Sequence, residues 1–383
     1  MDFALSPQHE EIRRTVRDFA ERRIAPVADE MERRAEFPHE IIREAAALGL
    51  LGVPYPEEIG GTGLDSLAYA ITVEELSRVS GSVGIIVSAH TSLGCNPLWL
   101  AGTDEQKEKF LRPMASGEVI GAYGLTEEGA GSDSRGTRTR ARRDDDSWIL
   151  NGSKRFITNA GVAGTYIVTA VTEKEADSGK ISAFIVEADT PGFSIGRMEE
   201  KMGLHASNTG ELLFDECKVP VDNLLGAEGE GDKLFLKTLD GGRIGIGAMA
   251  LGLAQAAFEA ASAYAKERRQ FGRPIASFQG VAFKIADMAT EIDAARLLVY
   301  RAAWLKDQGK PYGMASAMAK LFASEVAQRV TNDAIQVHGG YGYITEYKVE
   351  RYLRDAKLTE IGEGTSEIQR MVIARNLLGV RAM

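Results

Sequence analysis

Cysteine is scarce in this 383-residue chain, which contains only Cys95 and Cys217. Two cysteines make no disulfide framework and have no metal-ligand spacing, so we predict no metal site. Basic residues are outnumbered by acidic ones, 45 against 55, which gives a formal charge of −10. This balance disfavours non-specific binding to nucleic acid or to an anionic membrane, although a local basic patch could still hold a phosphate-bearing ligand.

Long apolar runs are missing as well. The longest apolar region, 244–258, is interrupted by Gln255, is rich in Ala and Gly, and is too short for a membrane span. The first residues, Met1–Ser6, lack the basic region and the apolar run of a secretory signal. We therefore expect a soluble, cytoplasmic protein.

Several common functional motifs are absent too. No Gly-x-Gly-x-x-Gly follows a strand and opens a helix, so a dinucleotide-binding Rossmann unit is not supported. The P-loop, the His-Glu-x-x-His pair and the Gly-x-Ser-x-Gly elbow are also missing. The function has to be sought in other segments.

The chain begins with a helical block, residues 1–119. Ser6 and Pro7 have the character of an N-cap and a first helical residue. Apolar spacing predicts further helices, among them one at 83–100 and a short one that starts near Thr103 and ends before Pro113. The lone His90 is interpreted as a satisfied core or pocket residue.

The pattern then changes twice. Residues 120–230 contain short β-rich runs separated by Gly, Asp, Asn and Pro, which predict a small antiparallel β domain. Residues 231–383 return to helical spacing, with long segments such as 233–270 and 279–308 that suggest a bundle. The sequence thus predicts a mainly α protein with a central β domain.

Two segments near the β block could contact a ligand. The run 124–133 is rich in small residues that leave backbone N–H groups open, and the hydroxyls of Thr126 and Ser132 add donors; a polar interdomain turn is the alternative. Asn151-Gly152 predicts a hairpin turn that projects Phe156 and Thr158 onto one side of a strand. An aromatic face beside a hydroxyl suits a planar heterocycle, although Phe156 could equally be a core residue.

Three arginines cluster in the segment 267–274, at the predicted end of a long helix. Guanidinium groups suit a pyrophosphate, and the alternative is that they complement the helix dipole. A carboxylate, Glu363, lies between two glycines just before another predicted helix, where Ser366 and Gln369 fit a capping box. Such a carboxylate can approach a ligand with little side-chain bulk in the way, or it can simply be favoured by the helix dipole.

Taken together, these segments resemble motifs of the acyl-CoA dehydrogenase family. The resemblance rests on four runs in the expected order: 124–133, 268–279, 336–340 and 363–366. It implies an N-terminal helical domain (1–119), a middle antiparallel β domain (120–230) and a C-terminal four-helix bundle (231–383). It also implies FAD held without a Rossmann fold, and a homotetramer built as a dimer of dimers.

The resemblance assigns roles to individual residues. Glu363 matches the catalytic base, and a neighbouring subunit would supply Arg268, Gln270, Gln279 and the 336–340 turn to FAD. The residues implied to contact FAD are Tyr123, Leu125, Thr126, Gly131, Ser132, Phe156, Ile157, Thr158, Arg268, Gln270, Gln279, Gln336, Val337, Gly339, Gly340, Thr365 and Glu367. Those implied to contact the acyl-CoA substrate are Ser132, Asp240, Arg243, Gly362 and Gly364.

The chemistry implied by the resemblance is α,β-dehydrogenation of an acyl-CoA thioester. Glu363 would remove the α-proton, the β-hydrogen would leave as hydride to the flavin, and a trans-2-enoyl-CoA would form. Burial would raise the pKa of the base towards working pH. Electrons would pass to an electron-transfer flavoprotein. An oxidase that uses oxygen and a non-catalytic acyl-CoA-binding or scaffold protein are the alternatives.

Three glycines depart from relatives within the family. Gly242 stands where some branched-chain relatives carry the base, so this chain should use Glu363 alone. Gly362 stands where many straight-chain relatives carry Tyr, which predicts extra room for a short or medium, branched acyl group; backbone freedom in the turn is the alternative. Gly84 is matched to an arginine position of dicarboxylate-specific relatives, which disfavours a glutaryl-type substrate.

Overall fold

The computed structural model describes residues 3–174 and 179–379. Its first part is helical, as expected. The helices are α1 (Pro7–Phe19), α2 (Ala28–Arg34), α3 (His39–Ala47), α4 (Ser66–Val79), α5 (Gly81–Ala89), α6 (Asn96–Ala101), α7 (Asp104–Gln106) and α8 (Arg112–Ala115). The Ser6 side chain accepts a hydrogen bond from the His9 backbone and Pro7 opens α1, so the predicted cap is confirmed.

Two helix predictions in this part need correction. The segment 83–100 is two α-helices, α5 and α6, joined by a π-helical stretch, His90–Cys95. The short helix from Thr103 has the expected capping box with Gln106, but helical structure continues through a π-helical stretch into α8. Pro113 lies near the start of α8, where the chain tolerates a missing N–H, so it does not end the helix.

His90 connects three parts of this region. Its Nε2 lies 3.0 Å from the Met114 carbonyl at α8, and its Nδ1 accepts a hydrogen bond from the Gly121 backbone at 2.9 Å. The ring is fully buried, and burial lowers its pKa to about 4. The interpretation of His90 as a satisfied core residue is confirmed.

The middle of the chain forms one eight-stranded sheet. Its strands are β1 (Gly121–Gly124), β2 (Arg140–Asp144), β3 (Ser147–Thr158), β4 (Thr165–Lys174), β5 (Gly179–Glu187), β6 (Phe193–Met198), β7 (Thr209–Pro220) and β8 (Leu224–Leu225). The order is β6-β7-β3-β2-β4-β5-β8, and β1 pairs with β4. Alternating residues such as Leu150, Tyr166 and Phe184 fill its buried face.

The sheet differs from the prediction in two respects. It is mostly antiparallel, but β4 pairs in parallel with β1 and, through one residue pair, with β2. The predicted hairpin turn at Asn151-Gly152 is wrong, because both residues lie inside β3 and Asn151 pairs with Arg140. The turn lies at Asp145 and Asp146 instead, where Asp145 has a left-handed backbone.

The last part is a bundle of long helices. They are α9 (Gly231–Glu267), α10 (Gln279–Asp307), α11 (Gly313–His338), α12 (Val349–Ile361) and α13 (Ser366–Leu378), with a two-stranded hairpin, β9 (Arg269–Gln270) and β10 (Arg273–Pro274), between α9 and α10. The prediction that α9 runs to Gln270 is wrong: the helix ends at Glu267, and Arg268 has extended backbone. Small residues allow α9 to touch α4, since a Cβ on Gly252 would lie 2.3 Å from the Glu74 carbonyl.

The α9 helix is long and apolar enough to cross a membrane by length and composition alone. The prediction that its apolar region is too short for a membrane span was based on residues 244–258 alone, whereas the whole helix has 37 residues. However, 78% of its most apolar window is buried inside the protein, as in the core helix of a soluble protein.

Candidate active site

Glu363 lies on the turn between α12 and α13. Its backbone is left-handed, with φ +54°, and Gly364 follows with φ +94°. Residues with a side chain rarely adopt this region, and those that do concentrate at functional sites. Gly362 is extended, with φ −65° and ψ 149°, a conformation open to any residue. The idea that Gly362 supplies backbone freedom is therefore wrong, and only Gly364 is required by the turn.

The carboxylate of Glu363 is buried and unpaired. The residue as a whole is partly exposed, but both carboxylate oxygens are shielded from solvent, and neither has a hydrogen-bond partner within residues 3–174 and 179–379. Burial raises the pKa of Glu363 to about 7, against the opposing attraction of Lys320 and Arg243. A carboxylate that titrates near neutral pH has the basicity of an efficient general base.

Gly242 of α9 provides the space for this carboxylate. A Cβ on Gly242 would lie 1.9 Å from Glu363 Oε2 and 3.1 Å from Leu93 Cδ2. The first distance is far below any van der Waals contact, so a side chain at position 242 would displace the carboxylate. Gly242 is thus part of the environment of Glu363.

The turn is held by two buried side chains. Lys320 of α11 donates from Nζ to the Gly364 carbonyl at 2.7 Å, and Gln369 donates from Nε2 to the same oxygen at 2.8 Å. The predicted capping box is wrong by one residue, because Thr365 is the N-cap of α13 and accepts from the Ile368 backbone at 3.3 Å. Gln369 is consequently free to reach back to the turn.

A cavity of about 1400 Å³ opens beside Glu363. Its walls come from the edge of the sheet at β1 and β3 and from the helices α5, α9, α12 and α13. Ligand pockets for drug-sized molecules typically measure about 300–1,000 Å³, so this cavity has room for two substantial groups side by side. The predicted site residues that line it are Tyr123, Leu125, Thr126, Gly131, Ser132, Phe156, Ile157, Thr158, Asp240, Arg243, Gly362, Glu363, Gly364 and Thr365.

A bulge in β3 shapes one wall of the cavity. The pairing with β7 slips between Lys154 and Ile157, and Phe156 has a left-handed backbone with φ +59°. Phe156 is 60% exposed, so its ring is not a core residue. Phe156, Ile157 and Thr158 all contribute to the cavity wall at this bulge, although the Ile157 side chain is buried in the core of the sheet.

The loop after β1 is anchored by a buried ion pair. Lys154 donates to Glu127 at 2.8 Å and to the Leu125 carbonyl at 3.2 Å, and its side chain is fully buried. Glu127 in turn accepts from the backbone of Arg138 and Thr139. These bonds fix the loop that carries Thr126 and Ser132, two residues of the cavity wall.

Asp240 and Arg243 form a second charged group on α9. Arg243 donates to Asp240 at 2.6 Å and is almost fully buried, while its Nε has no hydrogen-bond partner among the described residues. Burial raises the pKa of Asp240 and lowers that of Arg243. A buried donor without a partner at a cavity wall is free to meet a polar ligand atom.

Other predicted residues lie away from this cavity within the single chain. Arg268 sits at the end of α9 with its guanidinium over the Tyr341 ring, 5.2 Å from the centroid. The remaining residues outside the cavity are Gln270, Gln279, Gln336, Val337, Gly339, Gly340 and Glu367. A ligand in the cavity of one chain therefore does not bring these residues together with the first group.

Sequence reasoning missed several lining or supporting residues. Lys320 is the clearest, and its signal was available: it shares a helical face with Ser316 and Ser324 in an otherwise Ala-rich stretch. The segment between β6 and β7 also lines the cavity through Glu199, Lys201 and Leu204, and offers no motif. Gly84 does not line the cavity but packs on Ser77, and Ile85 and Ala89 line it instead.

The wall around Phe156 fits a flavin. It combines an uncovered aromatic ring with the hydroxyls of Thr126, Ser132 and Thr158, and planar heterocycles with polar edges take such surroundings. The unpaired Glu363 carboxylate in the same cavity suits a reacting thioester beside that flavin.

Comparison with known proteins assigns the chain to one family along its length. Models of the acyl-CoA dehydrogenase N-terminal, middle and C-terminal domains match residues 6–118, 122–217 and 229–378. A probable acyl-CoA dehydrogenase of Bacillus subtilis, YngJ, is 54% identical, with 99% of this chain and 100% of the relative covered. A short-chain-specific acyl-CoA dehydrogenase of Clostridium acetobutylicum is 52% identical, with 98% and 99% covered.

Solved structures give the same answer. Butyryl-CoA dehydrogenase of Megasphaera elsdenii superposes with a TM-score of 0.97 at 49% identity, covering 99% of this chain and 100% of that chain. A chain in a structure of the electron transferring flavoprotein of Acidaminococcus fermentans has a TM-score of 0.97 at 50% identity, with the same coverage. An acyl-CoA dehydrogenase of Bacillus anthracis complexed with FAD has a TM-score of 0.93 at 37% identity, covering 98% and 67%. This chain therefore belongs to the acyl-CoA dehydrogenase family, a family of FAD-dependent oxidoreductases with this three-part fold.

Proposed function

We propose that this acyl-CoA dehydrogenase acts on short- to medium-chain acyl-CoA thioesters, with room for a branched acyl group. One observation carries the proposal: the buried, unpaired carboxylate of Glu363 lies in the wall of a cavity large enough for a flavin and a thioester. Short-chain-specific relatives and the butyryl-CoA dehydrogenase neighbour support a small acyl group.

Glu363 acts as the base that removes the α-proton of the thioester. Because burial raises its pKa to about 7, the carboxylate is basic enough to take the proton and ionised enough to start without one. The β-hydrogen would leave as hydride, and FAD would supply its acceptor when bound. The cavity residues that would hold FAD are Tyr123, Leu125, Thr126, Gly131, Ser132, Phe156, Ile157, Thr158 and Thr365.

The acyl group lies next to Gly362. A Cβ there would reach Leu358 at 3.5–3.7 Å, ordinary contact distances, so space for a substituent exists beside the base. Ile85, Ala89 and Leu93 give the same cavity an apolar wall from α5 and the segment after it, which suits a hydrocarbon chain better than a second carboxylate. Asp240 and Arg243 contact the CoA portion of the substrate.

A second copy of the chain completes the flavin site. In this arrangement, residues outside the cavity of their own chain contact FAD in the cavity of the partner. They are Arg268, Gln270, Gln279, Gln336, Val337, Gly339, Gly340 and Glu367. The assembly is a homotetramer built as a dimer of dimers. Exposed apolar side chains beside this group support an interface, since Phe271 is 92% and Tyr343 88% exposed. A dimer interface covers such residues.

The organisation of the chain and its partners follow from the same proposal. Domain boundaries at 119/120 and 230/231 coincide with the gap between α8 and β1 and with the start of α9. The proposed electron acceptor is an electron-transfer flavoprotein in the cytoplasm, and the Acidaminococcus neighbour supports it. If oxygen is the acceptor instead, flavin reduced anaerobically by acyl-CoA reoxidises rapidly in air with product bound.

The variant Glu363→Gln tests the base. An amide keeps the shape but cannot accept the α-proton, so we expect turnover with butyryl-CoA and an artificial electron acceptor to fall roughly 10²–10⁴-fold while flavin stays bound. Glu58→Gln, at an exposed glutamate, is the control. More than about a tenth of the wild-type rate in Glu363→Gln would assign the base to another residue; no acyl-CoA oxidation by the wild type would overturn the proposed substrate class.

A further inference from the structure

Lys320 is a buried cation that no proposed contact with flavin or substrate explains. It lies on α11, its side chain is fully buried, and its ammonium donates to the Gly364 carbonyl at 2.7 Å. Burying an ammonium is expensive unless a negative group compensates it. The same carbonyl already receives a hydrogen bond from the neutral amide of Gln369, so holding the turn alone does not require a charge.

The negative group nearest in sequence to this contact is Glu363 itself. Within residues 3–174 and 179–379, four other titratable or charged groups face the pair: Arg243 of α9, Tyr69 of α4, Glu360 of α12 and Glu367 of α13. Glu360 pairs with Lys357 and Glu367 is exposed, so each has compensation of its own. The Glu363 oxygens have no hydrogen bond in the described part of the chain and depend on the surrounding charge.

We propose that Lys320 is a positioning residue of the dehydrogenation assigned above: it fixes the left-handed turn through the Gly364 carbonyl, and its charge keeps the Glu363 carboxylate ionised. This inference rests on the proposed role of Glu363. Burial lowers the pKa of Lys320 to about 8, still above the value of about 7 for Glu363, so the charged pair is the favoured state near neutral pH.

The direction of the change in the Glu363 pKa follows from the charge of Lys320. A positive charge favours the ionised form of a neighbouring carboxyl and lowers its pKa by about 1–3 units at about 4–6 Å. Without Lys320, Glu363 should hold its proton to higher pH. With Arg243 still present, we expect a rise of about one pH unit, which reduces the ionised fraction about 10-fold on the acid side.

The experiment compares Lys320→Met with Gln369→Met in the flavin-loaded protein. Both variants remove a donor to the Gly364 carbonyl, but only the first removes a charge. Two quantities are measured: the acid limb of kcat/KM for butyryl-CoA, and the protonation of Glu363 by pH-difference infrared spectroscopy, with the carboxyl band assigned by its loss in Glu363→Gln. Lys320→Gln, a neutral side chain that can still donate, takes the place of Lys320→Met if that variant fails to fold.

We expect both midpoints to rise by about one pH unit in the Lys320 variant and to stay unchanged in Gln369→Met, even where kcat falls. An unchanged midpoint in a folded Lys320 variant would overturn the proposal and leave Lys320 as a structural hydrogen-bond donor. The infrared titration needs no turnover, so it tests Lys320 even if the wild type oxidises no acyl-CoA, a result that would defeat the proposed function separately.

Discussion

At the level of single residues, Gly362 gives a direct test of the acyl pocket. Its extended backbone accepts any side chain, so Gly362→Tyr should fold and fill the space beside the base. We expect kcat/KM for isobutyryl-CoA or isovaleryl-CoA to fall about 10- to 200-fold more than for butyryl-CoA, since a methyl group in a pocket is worth about 1–3 kcal/mol. Steady-state kinetics with the three esters measures the ratio.

Gly362→Ala is the matched control, because its Cβ meets Leu358 only at ordinary contact distance and should leave the ratio nearly unchanged. Equal losses of Gly362→Tyr towards straight and branched esters would mean that the acyl group does not approach position 362.

The residues of the site differ in how far the sequence reveals them. Glu363 and Gly364 could be predicted from the sequence because a carboxylate in a Gly-flanked motif is a local pattern. The proximity of Gly242 to Glu363 could not be predicted, because it joins a helix to a turn about 120 positions away and depends on how the two pack. Lys320 could have been suspected from the helical face that it shares with Ser316 and Ser324, but its contact with the Gly364 carbonyl could not, because no side-chain pattern encodes a backbone partner.

At the level of elements, His90 joins the helical region to the first strand and makes that junction sensitive to acid. Its folded-state pKa, about 4, lies below the ordinary value of 6.5, so the fold favours the neutral ring. The contribution of the neutral ring to the free energy of unfolding is complete above about pH 6.5. It is lost as pH falls towards 4, by up to about 3 kcal/mol. Urea unfolding should therefore lose more stability between pH 7 and pH 4.5 in the wild type than in His90→Gln.

The exposed His39 supplies the control, as His39→Gln should retain the pH dependence of the wild type. If the free energy of unfolding changed with pH in the same way in the wild type and in His90→Gln, the buried ring would not contribute to acid sensitivity.

Elements were predictable where local chemistry decides and unpredictable where packing does. The cap at Ser6, the β-rich character of residues 120–230 and the long helices follow from spacing and capping. The turn assigned to Asn151-Gly152 failed because sheet pairing overrode a local preference and placed both residues inside β3. The bulge at Phe156 is likewise a property of the β3–β7 pairing, which alternation along one strand does not encode.

At the level of the whole molecule, Arg268 tests whether a second chain completes the flavin site. Arg268 lies outside the cavity of its own chain, so Arg268→Ala should weaken FAD retention only if it contacts FAD in a neighbouring subunit. We expect a loss of about 1.5–3 kcal/mol, the range for a hydrogen bond to a charged group. Titration of the flavin-free protein with FAD measures it.

Sedimentation of the same samples gives the assembly state, and Arg138→Ala, at a surface arginine outside the cavity, is the control. Unchanged FAD affinity in a tetrameric Arg268→Ala would reduce Arg268 to a cation at the end of a helix, as the simpler sequence interpretation allowed.

The contact between Gly242 and Glu363 limits how this enzyme could have evolved. Because a Cβ at position 242 would lie 1.9 Å from Glu363 Oε2, a side chain at position 242 would force the Glu363 carboxylate out of its present place. Moving the base to α9, where the family resemblance puts it in some branched-chain relatives, therefore also changes the position of any carboxylate at 363. Each single step passes through a protein with either no base or two carboxylates forced together. The location of the base is therefore a paired trait, inherited or exchanged as a unit.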